Sequence, residues 1–139
     1  MPARNRIKPY VENGYYHLYN RGVEKREIFL DHQDYNVFLS YLKEYLTPKD
    51  VDGLQAQLLD PTIYAWEKDE IRSKLRLNNF TDELTMLAYC LMPNHFHFFI
   101  KQTKPNTIDI FMNSLGTRYT MYFNKKYKRV GSLYQGVYK

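Results

Sequence analysis

The sequence predicts an α+β fold in which helices cover one face of an antiparallel sheet. Three observations predict it: short aromatic stretches with alternating faces, two longer stretches with apolar residues at helical spacing, and a strand–turn–strand pattern between the two helices. At 139 residues, the chain is long enough for one domain with a hydrophobic core. The whole chain, 1–139, is therefore expected to be a single domain.

The first half of the chain predicts one strand and one helix. Residues 15–20 are short, rich in tyrosine and followed by Gly22, which is typical of a strand. A helix is predicted after Asp31, because aspartate favours the position before a helix, and Pro48 ends it. Its apolar face consists of Tyr35, Phe38, Leu39, Leu42, Tyr45 and Leu46.

The second half completes the pattern. Residues 49–84 are predicted to be an inserted excursion with a short charged helix over 69–77. Residues 85–92 and 95–101 then form a hairpin, a second long helix follows Lys104, and a strand-like piece covers 133–138. This β-α-β-β-α-β order is that of a ferredoxin-like sandwich.

Composition narrows the class of protein. The net charge is +5, and residues 101–139 hold eight basic residues against one acid, Asp109. Such a segment binds a polyanion or forms an ordinary solvated helix face. There is no apolar run near the ~18 residues of a membrane span, and no signal-peptide pattern behind Met1. The lone cysteine, Cys90, predicts a reducing, cytoplasmic location and is expected to be buried in a strand.

The candidate chemistry lies in the third strand. Side chains alternate along a strand, so His95, His97 and Phe99 share one face while Phe96 and Phe98 share the other. Two imidazoles on one face are a pair of potential metal ligands, although two half-buried structural histidines have the same pattern. No glycine-rich phosphate loop or nucleophile-elbow motif is present.

A pair of histidines leaves the metal site incomplete, because a catalytic metal needs further ligands. Two imidazoles and an oxygen ligand suit Mg²⁺ or Mn²⁺ at a phosphodiester. His17 joins this pair if the first strand lies beside the hairpin, and a zinc-dependent hydrolase built on His17, His95 and His97 is then an alternative. His32, at the start of a helix, is expected on the surface.

Several motifs resemble those of one family. These are Tyr16-His-Leu-Tyr-Asn-Arg-Gly22, Ile28-Phe-Leu-Asp31 with Asp34, Leu91-Met-Pro-Asn-His-Phe-His97, Tyr119-Thr-Met-Tyr-Phe-Asn124 and Gly131-Ser-Leu-Tyr-Gln-Gly136. Together they resemble the single-tyrosine HUH transposases of the IS200-like type, and in particular the subgroup associated with repetitive extragenic palindromes. The resemblance covers nearly the whole chain outside residues 49–84.

The resemblance implies cleavage and rejoining of single-stranded DNA with hairpin recognition. It implies that His95 and His97 hold a divalent cation, Mg²⁺ or Mn²⁺, against the scissile phosphate, and that a tyrosine hydroxyl attacks the phosphorus. It also implies a homodimer. Phosphate contacts are expected from Arg21 and from a basic cluster at the end of the second long helix, namely Lys125, Lys126, Lys128 and Arg129.

One departure affects the expected activity. In the family, the nucleophilic tyrosine lies in a later helix, and this sequence ends at Lys139 before such a helix. Tyr119 and Tyr122 are weaker candidates, because core packing explains their spacing. The leading interpretation is a transposase domain that lacks the nucleophile helix. The alternative is a non-catalytic nucleic-acid-binding module or a relic of such an enzyme.

Overall fold

The computed structural model describes residues 11–138. Its elements, in chain order, are β1 (Tyr15–Arg21), a 3-10 turn (Val23–Lys25), α1 (His32–Leu46), α2 (Val51–Leu58), α3 (Ala65–Arg76), β2 (Leu84–Met92), β3 (His95–Gln102) and α4 (Thr107–Tyr127). None of the helices in this described part is both long and apolar enough to cross a membrane.

The three strands form one antiparallel sheet in the order β1-β3-β2. The central strand β3 pairs with β1 from Tyr15↔Lys101 to Arg21↔His95, and with β2 from Leu84↔Gln102 to Met92↔His95. The predicted α+β class and antiparallel sheet are therefore confirmed, and the strand bounds differ from those predicted by about one residue.

Helix α1 begins where the sequence indicated. The Asp31 side chain accepts a hydrogen bond from the backbone N–H of Asp34 at 3.0 Å, which satisfies one of the unpaired donors of the first turn. The helix ends at Leu46, before Pro48, because proline cannot continue the hydrogen-bonding pattern.

Helices α1 and α4 cover one face of the sheet. Phe38 of α1 lies 5.4 Å from Phe96 and 6.1 Å from Phe98 between ring centroids. From α4, Phe111 approaches Phe98 at 6.3 Å and Tyr119 meets Phe38 edge to face at 5.2 Å. Offset and edge-to-face rings at these distances are favourable contacts. The core is thus a layer of aromatic rings between the helices and the sheet.

The excursion between α1 and β2 contains two helices, α2 and α3, where the sequence predicted one. The extra helix has a recognisable start, because the Asp50 side chain accepts a hydrogen bond from the backbone N–H of Gly53 at 3.0 Å. Its eight residues are too few to give a clear helical period in the sequence. The single-domain assignment of 1–139 stays a prediction.

The C-terminal segment is the main difference from the predicted order. Residues 133–138, predicted to be strand-like, form only one isolated bridge, Gly22↔Tyr134, just after the end of β1. Glycines with positive φ stand on both sides of this bridge, Gly131 at 91° and Gly136 at 77°, and bend the chain away from the ladder. The Asn20 side chain, rather than a strand backbone, reaches the carbonyl of Gly136 at 3.3 Å.

Candidate metal and nucleic-acid site on the open sheet face

The sheet face away from α1 and α4 carries the histidine pair, and we call it the open face. Alternation along β3 buries Phe96, Phe98 and Ile100 at 3%, 0% and 0% exposure, so His95 and His97 point the other way. Residues directly opposite on paired strands share a face. Those opposite the histidines are Arg21, Tyr19, Cys90 and Met92.

The His95 ring is oriented by the preceding residue. Asn94 donates from its side-chain nitrogen to the Lys25 carbonyl at 3.4 Å, which turns its Oδ1 toward His95 Nδ1 at 2.7 Å. Because an amide oxygen only accepts, Nδ1 of His95 carries the proton. Its Nε2 is then left with a lone pair, the arrangement in which a second partner orients a metal-binding histidine.

His97 is held by a second imidazole. Its Nδ1 lies 2.9 Å from Nε2 of His17, and the two rings stack with centroids 5.0 Å apart and planes 13° apart. One nitrogen must donate and the other accept, so the contact requires at least one ring to be neutral. Burial, followed by repulsion from His17 and His95, lowers the pKa of His97 below 6.5. The neutral ring, which is the metal-binding form, is therefore favoured near neutral pH.

His95 and His97 can supply two ligands to a cation, but they do not form a complete site. The rings of His95 and His97 lie 5.1 Å apart between centroids and are perpendicular. Within residues 11–138, no cluster of three or more histidine, cysteine, aspartate or glutamate side chains is placed to hold a metal ion. Since Nε2 of His17 faces His97 itself, the three histidines do not converge as a zinc site of three imidazoles would.

The expectation that Cys90 is buried was wrong. Cys90 is exposed and lies on the open face directly opposite His97. Cys90 is exposed for two reasons. In the described residues, its strand β2 pairs only with β3 and so forms an edge of the sheet. In addition, α1 and α4 pack on the opposite face of that sheet. A strand-like sequence alone does not reveal which strand is the edge.

Arg21 is placed beside the pair, opposite His95. Its Nε donates to Oε1 of Gln135 at 2.9 Å, and its carbonyl accepts from the Gln135 backbone at 2.9 Å. The C-terminal segment therefore holds the guanidinium at the His95 end of the sheet. This role of Gln135 was not predictable from local sequence, because the contact joins residues 114 positions apart.

Two members of the predicted basic cluster are bonded to other side chains, and two are exposed. Lys126 is engaged, since its ammonium lies 2.7 Å from Asp31 and 2.8 Å from Asp34. Arg129 is also engaged and donates to Asn124 Oδ1 at 2.6 Å. The remaining two members, Lys125 and Lys128, are exposed.

The cluster lies at the same end of the molecule as His95. The backbone N–H of Ile108, near the start of α4, bonds the Gln102 side chain at 3.2 Å, so α4 begins where β3 ends and returns toward the start of β3. Arg26, which sequence analysis missed, joins the cluster with its guanidinium 5.1 Å from the Phe123 ring centroid. Burial and then the charge of Arg26 lower the pKa of Arg129.

Tyr119 and Tyr122 lie in the helix layer behind the sheet. Tyr119 is fully buried, its hydroxyl donates to the Ile28 carbonyl at 2.5 Å, and burial raises its pKa. Tyr122 donates to Asp34 at 2.9 Å, and burial together with this bond raises its pKa to about 12. Both hydroxyls are therefore held protonated, away from the open face. Tyr19, by contrast, has its ring 5.6 Å from that of His97.

The α+β fold of this chain is shared with a solved protein. A solved structure of a protein assigned as a transposase, from Deinococcus radiodurans R1, matches with a TM-score of 0.54 at 16% identity over 97% of this chain and 82% of that chain. The family described as "Transposase IS200 like" matches residues 60–139. The chain belongs to this family of IS200-like transposases. Among curated proteins, no sequence matches it.

Proposed function

We propose that the open face binds single-stranded or hairpin DNA, with His95 and His97 holding a divalent cation, Mg²⁺ or Mn²⁺, against a backbone phosphate. The observation that carries this is the oriented imidazole pair, because both rings are held through Nδ1. Nε2 of His95 then has a lone pair, and Nε2 of His97 has one when its Nδ1 donates to His17. When bound, such a cation polarises the phosphate and stabilises the charge that develops during its cleavage. DNA transposition, the activity of the family, requires that strand cleavage.

The protein's own groups support phosphate binding at this place. Arg21 stands opposite His95, and its guanidinium is anchored through Nε, so its two terminal nitrogens are left to contact phosphate oxygens. Lys125 and Lys128 extend the positive charge at the same end of the sheet. We assign backbone contacts to these three residues. Lys126 and Arg129, which are engaged within the protein, have a structural role in this proposal.

We further propose that a tyrosine hydroxyl attacks the phosphorus, giving a phosphotyrosine link and a free 3′-hydroxyl. The bond between phosphorus and the 3′-oxygen breaks as the bond to tyrosine forms, and the leaving oxygen takes up a proton. Tyr119 and Tyr122 do not suit this role, because their hydroxyls are bonded on the far side of the sheet. We therefore assign the attack to neither of these two tyrosines.

The exposed edge of the sheet supports the homodimer. Strand β2, Leu84–Met92, contains no charged residue and exposes Leu87, Tyr89 and Met92 by 47%, 55% and 41%. Uncharged exposed edges tend to pair with another strand. We propose that two copies meet at β2. Tyr89→Lys is expected to shift the protein to a monomer in light scattering, whereas Val130→Lys, at a site 91% exposed, leaves the mass unchanged. A monomeric wild-type chain would contradict this part of the proposal.

The central test measures DNA binding in the presence and absence of Mn²⁺. A labelled single-stranded hairpin should bind more tightly with Mn²⁺ than with a chelator, and His95→Ala and His97→Ala should abolish the difference. His32→Ala is the matched control, since His32 is an exposed histidine at the start of α1. Equal binding by all four proteins with and without metal would overturn the metal-phosphate assignment.

The same reaction separates catalysis from binding alone. After denaturation, a DNA-linked protein band that disappears in His97→Ala supports the cleavage mechanism. Mn²⁺-dependent binding without such a band supports the alternative, a non-catalytic nucleic-acid-binding module. If a band forms, Tyr19→Phe is the first variant to examine, because the Tyr19 ring lies beside His97. The cytoplasmic location stays a prediction.

A further inference from the structure

Two exposed aromatic rings lie beside the histidine pair on the open face. Phe99 is 42% exposed and Tyr15 is 58% exposed. Phe99 follows His97 by two positions on β3, and Tyr15 lies two positions before His17 on β1. Their ring centroids are 6.2 Å apart with planes inclined by 31°. The two strands thus continue the candidate site with a flat apolar surface.

The exposure of Phe99 is unusual for its position in the sheet. It lies on the central strand, where side chains on the covered face are excluded from water, such as Phe98 at 0% exposure. On the open face, its cross-strand neighbours are His17 and Ala88, and the small Ala88 side chain leaves the ring open on the β2 side. Neither neighbour buries the ring.

A cation accompanies the two rings. Lys101 is directly opposite Tyr15, and its ammonium lies 5.5 Å from the centroid of the Tyr15 ring. The order along β3 is therefore imidazole at His97, aromatic ring at Phe99 and ammonium at Lys101. Aromatic rings interspersed with positive charge are the surface on which proteins bind single strands, because bases stack on the rings and phosphates contact the cations.

We propose that Phe99 and Tyr15 form a stacking platform for one unpaired base next to the phosphate held at the histidine pair, and that Lys101 contacts the following phosphate. This rests on the proposed function, since it places the base relative to that phosphate. Side chains two positions apart on a strand are about 7 Å apart, which two stacked nucleotides span at about 3.4 Å each.

The platform selects single strands over duplexes. A base within a duplex already has both faces stacked and cannot lie flat on Phe99 without leaving the helix. Every base has an aromatic face, so the platform accepts all four with little preference. In this proposal, the site selects an unpaired nucleotide beside the reacting phosphate, and any sequence preference arises elsewhere.

Binding of a single-stranded oligonucleotide with Mn²⁺ tests the platform. Phe99→Ala and Tyr15→Ala should each weaken binding roughly 5- to 150-fold, the range for loss of one stacked base. Phe99→Trp should bind at least as well as wild type, whereas Phe99→Leu should resemble Phe99→Ala, because leucine is apolar but has no aromatic face. Tyr64→Ala is the matched control, since Tyr64 is 67% exposed and lies outside the sheet.

An abasic nucleotide gives an independent readout. Placed at successive positions, it should weaken wild-type binding most at one nucleotide near the phosphate at the histidines, and that loss should vanish in Phe99→Ala. Fluorescence of 2-aminopurine at the same position should be quenched by wild type and not by Phe99→Ala. Both readouts use protein that thermal unfolding shows to be folded at the assay temperature.

The outcomes separate the platform from the proposed function. Mn²⁺-dependent binding that is lost in His97→Ala but unchanged in Phe99→Ala and Tyr15→Ala would refute the platform and leave the proposed function standing. A changed oligomeric state in Phe99→Ala with unchanged DNA binding would assign the rings to protein contact and also refute it. Absence of any Mn²⁺-dependent binding by wild type would overturn both proposals.

Discussion

The two faces of β3 have opposite roles although they are built from alternate residues of one eight-residue strand. On the covered face, Phe96, Phe98 and Ile100 are excluded from water by α1 and α4. On the open face, His95, His97 and Phe99 remain accessible to a ligand. The packed face holds the strand rigid, so the imidazoles of the other face keep a defined separation without a covering layer of their own.

The largest effect is expected from the neighbouring residues Phe98 and Phe99. Phe98→Ala should lower the free energy of unfolding by about 3–5 kcal/mol, because it opens a cavity among packed rings. Phe99→Ala should lower it by no more than about 1 kcal/mol, because it removes cross-strand contacts of a 42% exposed residue without opening a cavity. Urea unfolding of both variants measures the difference. Similar values for the two would contradict the assignment of separate roles to the two faces.

The helix layer contains a buried polar cluster centred on Asp34. Its carboxylate is 0% exposed and accepts hydrogen bonds from Lys126 at 2.8 Å, Tyr127 at 2.5 Å, Tyr122 at 2.9 Å and the Leu30 N–H at 2.9 Å. Burial alone raises the pKa of Asp34, but these donors outweigh it and hold the pKa below 3.8. The covered side therefore depends on this acid remaining ionised.

Asp34→Ala should lower the free energy of unfolding by roughly 3 kcal/mol. This is the lower end of the range for breaking a buried ion pair, because Lys126 keeps partial access to water. The effect also depends on pH. A carboxyl with a lowered folded-state pKa stabilises the fold above about pH 4 and loses that contribution as the pH falls further. Between pH 7 and pH 3, the free energy of unfolding should fall less in Asp34→Asn than in wild type. Asp82→Asn, at an exposed position, should show the same decrease as wild type.

Metal binding should stabilise the protein through the open face. If Mn²⁺ binds only the folded chain, it should stabilise the protein by about 2.7 kcal/mol at 100 times its dissociation constant. The thermal midpoint should therefore rise with Mn²⁺ and return on chelation. His95→Ala should remove the rise while leaving the metal-free midpoint nearly unchanged. A large loss of metal-free stability in His95→Ala would mean that the ring is structural.

The smallest effect is expected from the exposed lysines. Lys125→Gln and Lys128→Gln should each reduce the slope of log affinity against log salt by about 0.7, the value for one phosphate contact to a single strand. Binding of the same oligonucleotide between low and moderate salt gives the slope. Lys74→Gln, an exposed lysine on α3, should leave it unchanged. Unchanged slopes in all three variants would remove the end of α4 from the DNA contact.

Much of the fold followed from local patterns. The Asp31 cap, Pro48 and the spacing of Phe38 and Leu42 indicated α1 to within a residue of its bounds, because capping and periodicity act over a few neighbouring positions. The C-terminal bridge and helix α2 were less predictable. A strand needs a partner along its whole length, and Tyr134 has one only at Gly22.

The candidate site was only partly predictable for the same reason. That His95 and His97 share a face follows from alternation alone. That His17 meets His97, and that Gln135 anchors Arg21, depends on contacts 80 and 114 residues apart. Which lysines of the basic cluster form ion pairs within the protein depends on the acids that the fold brings near them. Asp31 and Asp34 bind Lys126, whereas Lys125 stays exposed.

By itself, the sequence determined the positions of the main helices and strands and the common direction of the two imidazoles, because covalent geometry and hydrogen bonding between near neighbours impose both. Only the tertiary structure decided that β1 lies beside β3, which surrounds the pair with His17, Tyr19 and Arg21. Strand order depends on how much apolar surface the whole fold buries, and no short stretch of sequence determines that amount.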